Sequence, residues 1–230
     1  MSALSATYIV TGANTGLGYD ACKHLLRIGV GRLILGVRSV DKGEAARKTL
    51  VAESKSGLDG VLANAGIYVV KFSTFEDNES TLTVNVVSTF LLISPASPTA
   101  TVNLSLYTLA STKELVPAGG MPPRTIFERL NNPDEADMKD RYNVSKLLTL
   151  FVTRAMDARL KQSEKPGATI VVTTPKPSFC KSSLLKETGL TPPPDFLARS
   201  TEMGSRALVH GLLSGEEACG QRLTNCHVQA

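Results

Sequence analysis

The run Thr11-Gly12-Ala13-Asn14-Thr15-Gly16-Leu17-Gly18 limits the fold more than any other part of the sequence. It follows a short apolar segment, Thr7–Thr11, that reads as a buried strand. It precedes Tyr19–Ile28, which reads as a helix. Glycine is required where backbone turns sharply or touches another group, because a Cβ would clash there. The helix behind the turn offers free N–H groups and the positive end of its dipole, a combination that suits a pyrophosphate. A tight turn without a ligand is the competing reading, and the strand–turn–helix context counts against it.

The rest of the chain repeats this alternation, which argues for a parallel sheet covered by helices on both faces. Arg32–Val37 and Gly60–Ala63 read as further buried strands, with a helix at Val40–Ser54 between them. Asn78–Ile93 is expected to be helical and to stop before Pro95. A strand follows at Thr101–Tyr107. The long helix Asp140–Lys161 carries Val144, Leu147, Leu148, Phe151 and Ala155 at helical spacing, which predicts its buried face. Thr169–Thr174 reads as a strand, Thr201–Leu213 as a helix and Arg222–Val228 as a last strand. Ser94–Ala100, Leu115–Pro123 and Thr191–Pro194 are rich in proline or small residues and read as connectors.

The 230 residues suit one domain, 1–230, with a real core. A net charge of +4 without a long basic block argues against nucleic acid as a partner. The four cysteines form no CxxC pair and the three histidines no HxxxH pattern, so no metal site is expected. No apolar run approaches the roughly 20 residues that span a bilayer, and the first residues do not read as a signal peptide. The expectation is a cytoplasmic protein with no membrane partner.

Tyr142 and Lys146 are four apart at the start of the long helix and share a face. A free phenol ionises at about 10, and a cation close by would lower that value enough for proton transfer near neutral pH. A core tyrosine beside a solvated lysine is the alternative, because YxxxK alone is common.

Taken in order, Thr11–Gly18 (TGxxxGxG), Asn64-Ala65-Gly66 (NAG) and Tyr142…Lys146 (YxxxK, with Ser145 giving YxxSK) resemble the short-chain dehydrogenase/reductase family. The stretch from Asp140 to Arg154 resembles fungal members tied to secondary metabolism. The resemblance implies an α/β, Rossmann-like doubly wound parallel sheet. It also implies a nicotinamide dinucleotide held by Gly12, Asn14, Thr15, Gly16, Leu17, Gly18, Asn64, Ala65 and Gly66, with Tyr142 and Lys146 reaching it too. Tyr142 and Lys146 would be catalytic, with Asn85 (in Thr83-Val84-Asn85) relaying protons through a water. A serine would face the substrate oxygen. Ser105 is preferred for that place, with Ser111 a weaker candidate. At the end of the second strand Arg38 and Ser39 stand where the adenosine ribose is held, and an arginine there suits the 2′-phosphate of NADP rather than NAD. The function implied is NADP(H)-dependent interconversion of an alcohol and a ketone or aldehyde on a hydrophobic small molecule.

Three departures accompany the resemblance. Between Val37 and Gly60 there is room for one helix only, so one strand–helix unit of the nucleotide half is missing and a strand order of 2-1-3 is expected. The helix after NAG stops early at Pro95, which leaves a homodimer open but counts against one built on that helix. Pro177-Ser178 stands where the family carries Pro-Gly. A redox-silent dinucleotide- or protein-binding relative, or an isomerase or cyclase using the same tyrosine, are the alternative functions. Leu184–Leu197, apolar and proline-rich, is a lid candidate for a hydrophobic ligand.

Overall fold

A computed structural model describes residues 6–50, 60–93, 99–102, 115, 125–162, 171–185, 188–189, 194 and 197–229. The strands are β1 (Thr7–Thr11), β2 (Arg32–Gly36), β3 (Gly60–Ala63), β4 (Thr74–Phe75), β5 (Asn78–Glu79), β6 (Thr99–Val102), β7 (Val171–Lys176), β8 (Arg222–Thr224) and β9 (His227–Gln229). The helices are α1 (Gly16–Ile28), α2 (Val40–Leu50), α3 (Ser80–Leu82), α4 (Thr89–Ile93), α5 (Ile126–Leu130), α6 (Arg141–Lys161) and α7 (Thr201–Leu213). A π-helical stretch, Thr83–Ser88, joins α3 to α4 without a break.

Among the described residues seven strands form one sheet in the order β2-β1-β3-β6-β7-β8-β9, and β4 pairs with β5 in a small separate ribbon. Every pairing in the large sheet is parallel except β8–β9. The order 2-1-3 expected from the missing unit is therefore present, and β2 is the edge strand. The strand order reverses between β1 and β3, with β2 added on one side of β1 and β3 on the other, so their carboxyl ends border the crevice in which open α/β sheets hold ligands.

The central strands β1 and β3 are covered on both faces, and alternate residues enter different cores. Val10 and Leu62 pack with Ala21, Cys22 and Leu25 of α1 and with Leu208 and Leu212 of α7. Their neighbours Ile9, Val61 and Ala63 pack on the opposite side with Phe90 and Ile93 of α4 and Met156 of α6. The sheet is thus covered on both sides, as the alternating pattern predicts.

The structure corrects several sequence boundaries. Asn78 and Glu79 are in β5, and helix begins only at Ser80, where Glu79 caps it. β6 begins at Thr99, two residues inside the stretch read as a connector. Arg222–Val228 is a hairpin rather than one strand, turning through Asn225 and Cys226 at φ 50° and 63°. That pair of left-handed residues is the tight turn that matches strand twist. The four cysteines are all free.

The face of α6 also differs from its expected one. Phe151 and Ala155 are exposed, while Tyr142, Ser145, Lys146, Thr149 and Thr153 are buried beside Val144 and Leu148. Small hydroxyl side chains let a helix approach closely and can satisfy themselves locally. Thr149 Oγ1 donates to the Ser145 carbonyl at 2.9 Å. Apolar periodicity alone therefore finds Val144, Leu147 and Leu148 but misses the hydroxyl-bearing part of the buried face.

Candidate active site

The three motifs meet at the carboxyl ends of β1 and β3. Thr11, the last residue of β1, ties the first two together. Its Oγ1 accepts from the N–H groups of Asn64 and Ala65, each at 2.9 Å. Asn64 Nδ2 returns a bond to the Thr11 carbonyl at 3.1 Å. Gly12 takes φ 64° and Gly16 φ 61°, both left-handed, and the Gly12 N–H donates to the Gly36 carbonyl at 2.8 Å. At Gly18 a β-carbon would run into the Gly12 carbonyl oxygen and lie 2.7 Å from Asn64 Nδ2. Glycine is thus required on steric grounds at both ends of the turn.

Thr15 is the extended N-cap of α1, and its side chain makes no capping bond. Asn14 and Leu17 are half-buried and Thr15 is exposed. The first turn of a 13-residue helix therefore points its N–H groups at the turn, with no acidic residue beside them. Arg38 lies two residues beyond Gly36, the backbone partner of Gly12, and is exposed. Ser39 is half-buried, and its Oγ accepts from the Lys42 N–H at 3.5 Å, at the start of α2.

The third motif closes on the second through Asn85. Asn85 Oδ1 accepts from the Ile67 N–H at 2.9 Å. Its Nδ2 donates to the Ile67 carbonyl and to Ser145 Oγ, both at 3.0 Å. Ser145 Oγ donates to the Tyr142 carbonyl at 2.7 Å. Both amide hydrogens of Asn85 are therefore committed to protein groups, so the side chain acts as a strut between the residue after NAG and α6. A β-carbon at Gly66 would lie 3.1 Å from Asn85 Oδ1 and 3.7 Å from Lys146 Nζ, which shows how closely the ammonium approaches the NAG turn.

Tyr142 is 2 % exposed and Lys146 3 %. Lys146 Nζ lies 5.6 Å from the Tyr142 ring centroid. Burial pulls the lysine down from 10.5 to about 8. The tyrosine moves the opposite way to the sequence expectation, pushed above its ordinary value first by burial and then by Tyr68. Removing a phenolate from water outweighs the attraction of a cation at this separation.

Tyr68 itself is a residue that no sequence signal marked. Its ring stacks on that of Tyr142, centroids 4.6 Å apart and planes 14° from parallel. Its hydroxyl donates to the Lys139 carbonyl at 3.4 Å. A lone tyrosine two residues after a glycine turn carries no pattern, so only the fold reveals the contact. The segment after β7 also borders the site, with Ser182 Cβ 3.9 Å from the place a β-carbon at Gly16 would take. Ser178 holds φ 64°, the left-handed conformation for which the resemblance expects glycine. Ser105 and Ser111 lie outside the described residues, as does most of Leu184–Leu197. Among the described residues no group of three or more His, Cys, Asp or Glu side chains could hold a metal ion.

No protein-family profile matches the chain. Whole-chain likeness is informative. Short-chain dehydrogenase anuD of Penicillium roqueforti is 35 % identical over 265 positions, covering 96 % of this chain and 69 % of that protein. Short chain dehydrogenase atnD of Emericella nidulans is 33 % identical, covering 92 % of this chain and 81 % of that protein. The chain belongs to the short-chain dehydrogenase/reductase family. The alignment with the Penicillium protein is longer than the 230-residue chain, so that relative carries internal segments absent from this member.

Solved structures agree on the fold. Salutaridine reductase from Papaver somniferum superposes with a TM-score of 0.67 at 18 % identity, over 96 % of this chain and 100 % of that one. A 3-ketoacyl-(acyl-carrier-protein) reductase from Brucella melitensis complexed with NADH gives 0.59 at 17 %, over 96 % of each chain. An alcohol dehydrogenase from Thermococcus sibiricus complexed with 5-hydroxy-NADP gives 0.59 at 17 %, over 96 % and 95 %. Among the described residues no helix is long and apolar enough to cross a membrane.

Proposed function

We propose that this family member is an NADP(H)-dependent oxidoreductase that interconverts an alcohol and a ketone or aldehyde, acting on a hydrophobic small molecule such as a secondary-metabolite intermediate. One observation carries the reading: the glycine turn, the NAG turn and the Tyr142–Lys146 pair are hydrogen-bonded or packed together at one strand end. The cradle fits a dinucleotide. A β-carbon at Gly12 or Gly18 would fill the turn, and the uncapped first turn of α1 offers N–H donors to a pyrophosphate. Arg38 supplies a forked cation for a 2′-phosphate. The NADH and 5-hydroxy-NADP carried by two of the solved structures support the nicotinamide class, and Arg38 supports NADP within it.

When bound, the dinucleotide supplies or accepts the hydride. The chain's own residues handle the proton. Tyr142 keeps its proton at neutral pH and is poised to donate it from Oη to a carbonyl oxygen, which favours reduction. Lys146, titrating at about 8, can restore that proton. Asn85 and Ser145 hold Tyr142 and Lys146 against the NAG turn. Ser105 is the expected donor to the substrate oxygen.

The deep burial of Tyr142 under Tyr68 favours a second reading, a redox-silent relative that binds the dinucleotide without turnover. Calorimetric titration with NADPH and NADH tests the first step. Saturable binding that prefers NADPH and weakens about 10-fold or more in Arg38→Ala supports the reading, since a charge-assisted bond contributes about 1.5–3 kcal/mol. Failure of cooperatively folded protein to bind either cofactor refutes both readings. NADPH binding without oxidation over a broad carbonyl panel leaves the silent one.

A further inference from the structure

Two charged side chains that the proposed chemistry does not use are buried beside it. Glu79 and Arg141 both have side chains 0 % exposed, and Arg141 Nη1 lies 3.7 Å from Glu79 Oε2. Withdrawing both charges from water is costly, and an apolar pair of similar volume often serves stability as well or better. The ion pair therefore calls for a reason other than stability, and its geometry supplies one.

Each partner is held by directional bonds to a different element. Glu79 Oε1 accepts from the Thr81 N–H at 2.8 Å and from Ser80 Oγ at 3.0 Å, and Oε2 accepts from the Leu82 N–H at 3.2 Å. Arg141 Nη1 donates to the Leu130 carbonyl at the end of α5. Asn131, next in the chain, accepts from the Glu79 N–H at 2.7 Å and donates to Asn78 Oδ1 at 2.8 Å. The start of α3, the end of α5 and the first turn of α6 are thus locked to one another. α3 runs directly into the π-helical stretch that bears Asn85, and Arg141 directly precedes Tyr142.

The Asn85–Ser145 bond is one brace between these two helices. Alone it would act as a pivot. A second brace, at the helix start, fixes the rotation of α6 about its axis, and that rotation sets where Tyr142 and Lys146 point. Catalytic groups need placement within about 0.5 Å and 10–20°.

We infer that the buried Glu79–Arg141 pair is a positioning device that fixes the first turn of α6, and with it Tyr142 and Lys146, against the NAG turn. The inference rests on reading those two residues as the proton-transfer pair. Glu79 and Arg141 touch neither substrate nor cofactor in this assignment.

The test is the double variant Glu79→Gln/Arg141→Met, which removes both buried charges and so leaves none unpaired. Lys146 is followed by NMR of lysine labelled at its side-chain carbon, its resonance assigned with Lys146→Met. In the wild type it should titrate at about 8. In the double variant α6 turns, water reaches the ammonium, and the titration moves towards the ordinary lysine value by one pH unit or more. NADPH-dependent reduction of 9,10-phenanthrenequinone should lose about 100-fold in kcat, as expected for an ångström of misplacement, with a much smaller change in KM for NADPH, which the glycine turn and Arg38 still hold. A variant that melts cooperatively, even at a lower Tm, but titrates and turns over as the wild type does would overturn the inference. A moved titration in a protein whose wild type reduces no carbonyl would uphold the positioning role and overturn the oxidoreductase reading instead. If the double variant fails to fold, Arg141→Lys replaces it, keeping the charge but losing the fork that reaches Leu130. The same shifts are then expected at smaller size, and their absence overturns the inference.

Discussion

Lys146 makes the stability of this protein depend on alkaline pH in a direction that can be worked out. Folded, it titrates at about 8, because burial disfavours its charged form, against an ordinary value of 10.5. Between those values the unfolded chain binds more protons at this site than the folded chain, so unfolding free energy rises with pH. Below pH 8 the ammonium is present in both states and its burial lowers stability by the full difference. At about 1.36 kcal/mol per pH unit, that difference is about 3 kcal/mol. The penalty is progressively relieved as pH rises, most of it by pH 10. Urea unfolding of wild type and Lys146→Met, measured at pH 7, 8, 9 and 10, isolates the effect. Cys22, pushed up by burial, contributes a slope that is common to the two proteins and cancels in their difference. Tyr142, also pushed up, lies beside Lys146, so the pair of curves is repeated in a Tyr142→Phe background. Wild type should gain on the variant steadily above pH 8. Parallel curves across the whole range would show that Lys146 is hydrated in the folded chain, and the proton-relay assignment would lose its physical basis.

Ser178→Gly should stabilise the fold by about 0.5–1 kcal/mol, since a left-handed residue with a Cβ is strained by about 1–2 kcal/mol and glycine returns part of that as unfolded-chain entropy; a lower midpoint in urea would contradict this. Gly18→Ala should destabilise by about 1–3 kcal/mol and remove NADPH binding, because the new methyl meets the Gly12 carbonyl; unchanged calorimetry would show that the turn is not the cradle. Thr11→Val keeps the shape but removes the acceptor shared by the Asn64 and Ala65 N–H groups, and should cost about 1–3 kcal/mol; faster hydrogen exchange at those two amides is the direct check.

What the sequence by itself determined is the local chemistry. A glycine turn between a strand and a helix can be read from one line of residues, because Gly12, Gly16 and Gly18 answer to backbone geometry within a few positions. The order 2-1-3 was legible too, because the residues between Val37 and Gly60 admit one helix and no strand. α7 matched its expected limits, since its N-cap Ser200 and its end are local signals. What only the tertiary structure decided involves partners far apart in the chain. Tyr68 stacks on Tyr142 across 74 positions of sequence, and Glu79 meets Arg141 across 62. Neither contact has a period or a spacing to betray it. The buried face of α6 was read only in part, for a related reason. Burial there is governed by how closely the helix approaches the sheet, which small hydroxyl side chains permit, and hydrophobic periodicity does not register them. The proton affinities of Tyr142 and Lys146 belong to the same class. Spacing brought the pair together on one helix face, but the loss of water around both, set by everything packed over them, decided which way each is shifted.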